Sequence, residues 1–431
     1  MNLMTSPDRT LAPDFRPITK LDVQKAGQVK LTNGIPVYTI NAGFQDLVRI
    51  EWLFRLRSFD PQRPLLQNAA NRLLQEGTSK KSAQEIADQI DYFGAFLETE
   101  EGPDTVSIVL YTLNKHLPKM LPIVRELFAD AVYPEHELGI YKQNQVQRLT
   151  VENEKVQSLA RRRFLQLLFG QAHPYGFYVS AEHYLQLDRE ELEAYRRRHY
   201  TSDNCTIFVA GKLPADLDKL LDQHFGDSDW KTSESMSESR GVTMLDPTQK
   251  HYQEKPGAIQ SAIRIGKPLF RRSDPEYPAM SVLNTVLGGY FGSRLMSNIR
   301  EDKGYTYGIG SALVSMKEAG YFFISTEVGA DVTEAALKEI YFEIDRLCND
   351  PVPESELAMV RNFLLGNFLK GIDGPFALLD RSKTLVVNGL DYDYYTHYIK
   401  VLQSVTPAEL LELARRVWKP DSFTELVVGK R

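Results

Sequence analysis

Residues suited to metal or nucleophilic chemistry are sparse in this chain of 431 residues. The eight histidines are His116, His136, His173, His183, His199, His224, His251 and His397. No two are four apart, the spacing that sets two imidazoles on one helix face around zinc. His173 lies in a His-Pro-Tyr-Gly turn and reads as structural. Cys205 and Cys348 stand in separate halves without metal-ligand spacing, and read as buried thiols of a reducing compartment. No Ser/His/Asp or Cys/His grouping has a recognisable spacing. Gly288-Gly289-Tyr-Phe-Gly292 lacks a following Gly-Lys-Ser/Thr and a preceding buried parallel strand. It reads as a tight helix-to-helix turn rather than a phosphate cradle. The runs Arg161-Arg162-Arg163 and Arg196-Arg197-Arg198 read as solvated or acid-paired helix faces.

The elements that must position any site belong to a globular chain with 42% hydrophobic and 25% charged residues. Its length points to two or more domains. A formal charge of −6 argues against a broad surface for nucleic acid or an anionic membrane. No stretch approaches the roughly 20 apolar residues of a membrane span. The opening MNLMTSPDRTLAPDF has no basic cluster followed by an apolar run, so the expectation is a cytoplasmic protein without an export signal.

Two pairs of segments reveal an internal repeat. Cys205-Thr-Ile-Phe-Val-Ala-Gly-Lys212 is echoed by Phe423-Thr-Glu-Leu-Val-Val-Gly-Lys430. Pro134-Glu-His-Glu-Leu138 is echoed by Pro353-Glu-Ser-Glu-Leu357, at an offset of 219 (353 minus 134). The spacing predicts an extension over 1–20, a first unit over 21–231, a Ser-rich linker over 232–250 and a second unit over 251–431. Within the first unit, strands are expected at 35–40, 48–54 and 105–111. An apolar helix is expected from Leu65 to a stop at Gly77, and a helix capped by Ser82 and ended by Gly94. Long helices follow over 115–131 and on to about 169. In the second unit strands are expected at 262–265 and 321–326, and helices over 277–287 and 331–348. Strands first and then grouped helices predict an α+β fold: two similar sandwich units, each an antiparallel-rich sheet covered by helices.

Three segments carry a family likeness. They are Asn68-Ala-Ala-Asn71-Arg72 with Gly77-Thr78, His173-Pro174-Tyr175-Gly176, and the run from Gly288 through Ser293-Arg294 and Arg300-Glu-Asp-Lys-Gly304 to Tyr307. Across essentially the whole chain the sequence resembles the pitrilysin, insulysin and mitochondrial processing peptidase family, the inverzincins. That likeness implies two duplicated units in a clam-shell arrangement. It also implies a His-x-x-Glu-His helix, with a zinc ion on two histidines and a glutamate acting as general base. Those positions fall here on Asn68, Asn71 and Arg72, a degenerate motif. A neutral amide is a poor zinc ligand, Asn71 cannot act as a base, and Arg72 sets a permanent cation near the metal position. The distal glutamate of the family would fall near residue 150, at Glu152 or Glu154.

The resemblance also implies a division of labour between two chains, one with zinc and one with an arginine–tyrosine pair seven residues apart. Arg300 and Tyr307 match that spacing. A tyrosine hydroxyl donates to the oxyanion of a tetrahedral intermediate, and an arginine holds a peptide carbonyl. The expectation is a zinc-less subunit of a heterodimeric zinc metallopeptidase that binds peptides or unfolded segments and no metal of its own, with zinc on its partner. The competing expectations are a structural or peptide-binding pseudopeptidase, and an independent enzyme of unrelated chemistry.

Overall fold

The computed structural model describes residues 10, 18, 21–230 and 249–430. The expected extension, apart from residues 10 and 18, and the expected linker over 232–250, apart from residues 249 and 250, lie outside the described residues. The first half runs through β1 (Gly27–Lys30), β2 (Pro36–Asn41), β3 (Leu47–Arg55), α1 (Leu66–Arg72), α2 (Ala83–Tyr92), β4 (Phe96–Glu101) and β5 (Thr105–Leu113). It continues with α3 (Leu117–Asp130), α4 (Glu135–Glu154), α5 (Val156–Phe169), α6 (Ala181–Leu185), α7 (Arg189–His199), β6 (Cys205–Gly211) and α8 (Leu217–Phe225). The second half holds β7 (Lys250–Glu254), β8 (Gln260–Leu269), α9 (Tyr277–Asn284), β9 (Ile309–Ser315), β10 (Gly320–Gly329) and α10 (Thr333–Asn349). After these come α11 (Glu354–Lys370), α12 (Pro375–Asn388), α13 (Asp393–Ser404), α14 (Pro407–Val417) and β11 (Thr424–Gly429).

The duplication extends to strand order. One sheet runs β1-β2-β6-β3-β5-β4 and the other β7-β11-β8-β10-β9. Each has one parallel pair, β2 with β6 and β7 with β11, among antiparallel neighbours. Helix starts repeat as well. Pro134 and Pro353 both stand at N-caps in extended conformation, where a residue without an N–H costs nothing. The α+β reading of two helix-covered, antiparallel-rich sheets matches this architecture.

The halves exchange one helix each. Ala160, Phe164 and Leu168 of α5 pack on Ala262, Leu426 and Val428 of the second sheet. Leu378 and Leu379 of α12 pack on Ile40, Leu53, Phe208 and Ala210 of the first. Each sheet is thereby covered on both faces, so β6 and β11 are buried along their whole length, including the polar Thr206, Thr424 and Glu425. A buried ionic cluster sits at one of these contacts. Arg49 bonds Glu51 at 2.9 Å and Asp380 of α12 at 2.7 Å, and Lys383 of α12 reaches Glu51 at 3.0 Å. Burial opposes the charge on Lys383, but Glu51 and Glu100 outweigh it and its pKa is raised.

Three local expectations change. The helix expected to stop at Gly77 ends at Arg72, because the chain then turns so that Gly77 and Thr78 bridge to Ser82 and Ala131. The strands β1 and β4 were not expected; both are exposed edge strands, and β4 carries Glu98, Glu100 and Glu101. The second sheet already begins at Lys250, the last residue of the expected linker.

Candidate functional site

Helix α1 places the three degenerate motif residues in two different environments. Asn68 and Arg72, four apart, line a cavity of about 710 Å³. Asn71 is turned about 100° around the axis from Arg72 and is fully buried. Its Nδ2 donates to the carbonyls of Glu100 at 3.0 Å and Ser107 at 3.3 Å, and its Oδ1 accepts from the Tyr200 hydroxyl at 2.9 Å. Glu100 and Ser107 face one another across β4 and β5, so one amide clamps a cross-strand pair to the helix. A carboxylate there would face two carbonyl oxygens. The second half repeats the device: Asn284, 213 residues on (284 minus 71), is buried and donates to the Ser311 carbonyl of β9 at 3.4 Å.

The cavity wall is completed by Glu101 of β4, Tyr141, Arg148 and Glu152 of α4, and Ser158, Arg161 and Arg162 of α5. Of the two expected distal glutamates, Glu152 reaches the cavity, while Glu154 pairs with Lys255 of the second half at 2.9 Å. Glu152 is already held by Lys155 at 2.8 Å and by the Ser158 hydroxyl, and these bonds pull its pKa down. Burial raises the pKa of Glu101 against the pull of Arg72 and Arg148. Arg72 donates to Thr99 Oγ1 at 3.3 Å. Arg162 bonds Asn153 and lies over the Tyr178 ring at 5.0 Å.

The basic runs therefore depart only in part from their expected role as solvated or acid-paired faces. Arg161 and Arg162 line the cavity, and Arg196 is buried and donates to the Phe128 carbonyl at 2.8 Å. Arg163, Arg197 and Arg198 follow the expectation: all three are exposed, and Arg197 pairs with Glu193 at 3.3 Å. The reason is periodicity: consecutive helical residues point in directions about 100° apart, so a run of three cannot share one face.

Arg300 and Tyr307 lie elsewhere, and neither lines this cavity. Arg300 sits on a π-helical segment, Met296–Asp302, whose Ile299 is buried. Its guanidinium lies over the ring of Phe291, 4.6 Å from the centroid. Gly304, at φ 66°, turns the chain out of that segment. Tyr307 follows on the loop before β9 and is 96% exposed, with no hydrogen bond among the described residues. The loop itself is anchored. The Thr306 hydroxyl donates to the Glu327 carbonyl at 2.6 Å and accepts from the Gly308 N–H at 3.1 Å. The glycine run over 288–292 links two π-helical segments, Thr285–Gly289 and Met296–Asp302. A side chain at Gly288 would meet the Ser311 backbone nitrogen at 2.7 Å, so close packing on β9 requires glycine there.

His173 is a turn residue: it is buried, and its Nδ1 accepts from the Tyr175 N–H at 3.1 Å. Cys205 is buried and Cys348 half-buried. Among the described residues no three His, Cys, Asp or Glu side chains come together as a metal-holding group. No described helix is long and apolar enough to cross a membrane.

Residues 186–364 match the family model described as the peptidase M16 inactive domain. The match runs from the end of the first half through most of the second. It includes Arg300 and Tyr307 and leaves out Asn68, Asn71 and Arg72. An uncharacterized zinc protease of Mycobacterium tuberculosis is 22% identical over 348 residues, 80% of this chain and 79% of the relative. The uncharacterized zinc protease YmxG of Bacillus subtilis is 22% identical over 355 residues, 82% of this chain and 85% of the relative. A solved peptidase M16 inactive domain from Pseudomonas fluorescens shares the fold with a TM-score of 0.84 at 20% identity, covering 95% of this chain and 99% of that one. A chain of complex III2 from Candida albicans does so with a TM-score of 0.75 at 14% identity, covering 94% and 95%.

The relatives' names invoke zinc, but the cavity beside α1 does not suit it. Asn68, Arg72 and a glutamate committed to Lys155 and Ser158 do not make a zinc donor set, and further arginines repel a dication. Residues 186–364 thus match the inactive domain of the M16 peptidases, and the fold of the whole chain is similar to that of solved M16 proteins.

Proposed function

We propose that this chain is a zinc-less subunit that binds peptide and presents Arg300 and Tyr307 to the zinc site of a second, metal-bearing chain of the same family. The observation that carries the reading is the exposure of Tyr307. An aromatic side chain held on an anchored loop, 96% exposed and without a hydrogen-bond partner among the described residues, is a group prepared for another molecule. Arg300 is held by stacking on Phe291, which is itself 62% exposed, and so retains its hydrogen-bonding edge. In the complex Tyr307 donates to the developing oxyanion of the scissile peptide and Arg300 fixes a backbone carbonyl. The chain binds no zinc of its own in this reading, because its motif positions are Asn68, Asn71 and Arg72.

The test is turnover by the assembled pair. Tyr307→Phe is expected to lower kcat on the order of a hundredfold, the usual effect of removing one oxyanion donor. Arg300→Ala is expected to raise KM as well. Wild-type turnover in both variants would end the proposal. The second reading, a structural pseudopeptidase, draws on the likeness to a complex III2 chain. It predicts that both variants associate and function as wild type.

A further inference from the structure

The duplication supplies an internal control for the cavity beside α1. Arg162 of α5 and Arg381 of α12 are equivalent positions, 219 residues apart (381 minus 162), the offset that also relates Pro134 to Pro353. In the second half the corresponding space is filled. Arg381 lies 4.7 Å from the Phe368 ring centroid and 5.7 Å from that of Tyr395, and its Nε donates to the Gly371 carbonyl at 3.1 Å. Tyrosines from α13 close in around it, and about 160 Å³ remains.

In the first half about 710 Å³ stays open, a volume typical of small-ligand sites. Arg72, Arg148, Arg161 and Arg162 all line it, and none of them forms an ion pair among the described residues. Glu152 is neutralised by Lys155, which leaves Glu101 as the one carboxylate set against four guanidinium groups. Two buried polar atoms on the wall also lack partners: the acceptor Asn68 Oδ1 and the donor Arg162 Nε. Buried polar groups are ordinarily satisfied, so an orphaned acceptor and an orphaned donor on residues lining one cavity mark a place for a ligand carrying both a donor and an acceptor. An anion without a proton to donate would satisfy only the arginines. A peptide terminus satisfies both: its carboxylate accepts from the guanidinium groups, and its last amide N–H suits Asn68 Oδ1. Leu149, Leu165 and Tyr141 supply an apolar wall for the last side chain.

We infer that this cavity, at the degenerate motif, binds the C-terminal residue of a peptide, with the α-carboxylate held by the arginines. The inference rests on the reading of the chain as peptide-binding, but not on the role of Arg300 and Tyr307. It also gives the loss of the metal motif a use, since Asn68 and Arg72 are the motif residues that face the ligand.

The experiment is calorimetric titration of the full chain, without any partner, so that its outcome is read independently of complex activity. The probes are acetyl-tetraalanyl-leucine as the free acid, the same peptide as its C-terminal amide, an amidated peptide with an aspartate side chain, and inorganic phosphate. The free acid is expected to bind saturably and the amide at least about tenfold more weakly. Arg72→Gln and Arg148→Gln, both at exposed positions, are expected to weaken the free acid about tenfold each with an unchanged melting temperature. Equal binding of acid and amide overturns the inference, as does an unchanged affinity in both variants. Tighter binding of phosphate reassigns the cavity to inorganic anions, and equal binding of the aspartate peptide reassigns it to acidic side chains; either result also overturns it.

Discussion

Replacing Asn71 by aspartate keeps the shape of the side chain and removes its two donors. In the wild type Nδ2 serves the carbonyls of Glu100 and Ser107, in a position without solvent exposure. The protonated acid can donate to one of them, so one hydrogen bond is lost, at about 1 kcal/mol. The carboxylate can donate to neither and must be buried against two carbonyl oxygens, which raises its pKa above the unfolded value of roughly 3.9. Because the folded variant resists ionising, it binds more protons than its unfolded state above that pH, and its stability falls as pH rises. The deficit against wild type grows by about 1.4 kcal/mol per pH unit until the raised pKa is reached. The expected deficit is about 1 kcal/mol at pH 4 and about 3 kcal/mol at pH 7, or a drop in melting temperature of roughly 6–12 °C at neutral pH. Differential scanning calorimetry of both proteins from pH 4 to pH 7 measures it. A deficit that does not change with pH would refute the reasoning, since the buried amide would then not be a clamp that ionisation breaks.

Other consequences can be checked the same way. Burial, with Arg198 and Arg57 adding to it, lowers the pKa of His199 to about 4. The unfolded chain therefore binds the extra proton first, and up to about 3 kcal/mol of stability, present above pH 6.5, is lost as pH falls towards 4. In His199→Leu the stability of the protein should lose that pH dependence, as followed by urea denaturation between pH 4 and 7. Lys383→Met removes one partner of the buried Glu51 and should cost about 3 kcal/mol. The urea midpoint would fall at an unchanged slope, and an unshifted midpoint would show that Arg49 alone neutralises Glu51. Cys205 is buried, and burial raises its thiol pKa well above the ordinary range. It should resist alkylation in the native protein at pH 8 and react fully in denaturant, as mass spectrometry would report.

Much of the fold was legible because it is written twice. The Gly-Lys and Pro-Glu echoes set the repeat length, and α4 with α11, then α5 with α12, begin 219 residues apart as those echoes require (354 minus 135, 375 minus 156). The cap at Ser82 was legible from side-chain chemistry alone, and the structure adds Glu85 as the other half of a capping box. The reciprocal packing of α5 and α12 was not, because an apolar helix face does not name the sheet that covers it. The edge strands β1 and β4 escaped for a related reason: their exposed, polar residues carry no apolar alternation. At the site, residue types showed that Asn68, Asn71 and Arg72 are unfit for zinc. That Asn71 turns into the core while Asn68 and Arg72 face a cavity needed the β4–β5 pair that receives its amide. The cavity arginines were visible as residues, but Arg148 and Arg161 come together only where α4 and α5 meet, a contact between elements rather than a motif.

The central claim is that this chain completes an active site it does not contain. Its most direct test is peptide hydrolysis by a zinc-bearing family member from the same organism, alone and mixed with this chain in equal amounts. The account predicts activity that appears only in the mixture and is lost with Tyr307→Phe. Full activity of the zinc-bearing chain alone, or a stable complex without any gain, would contradict it.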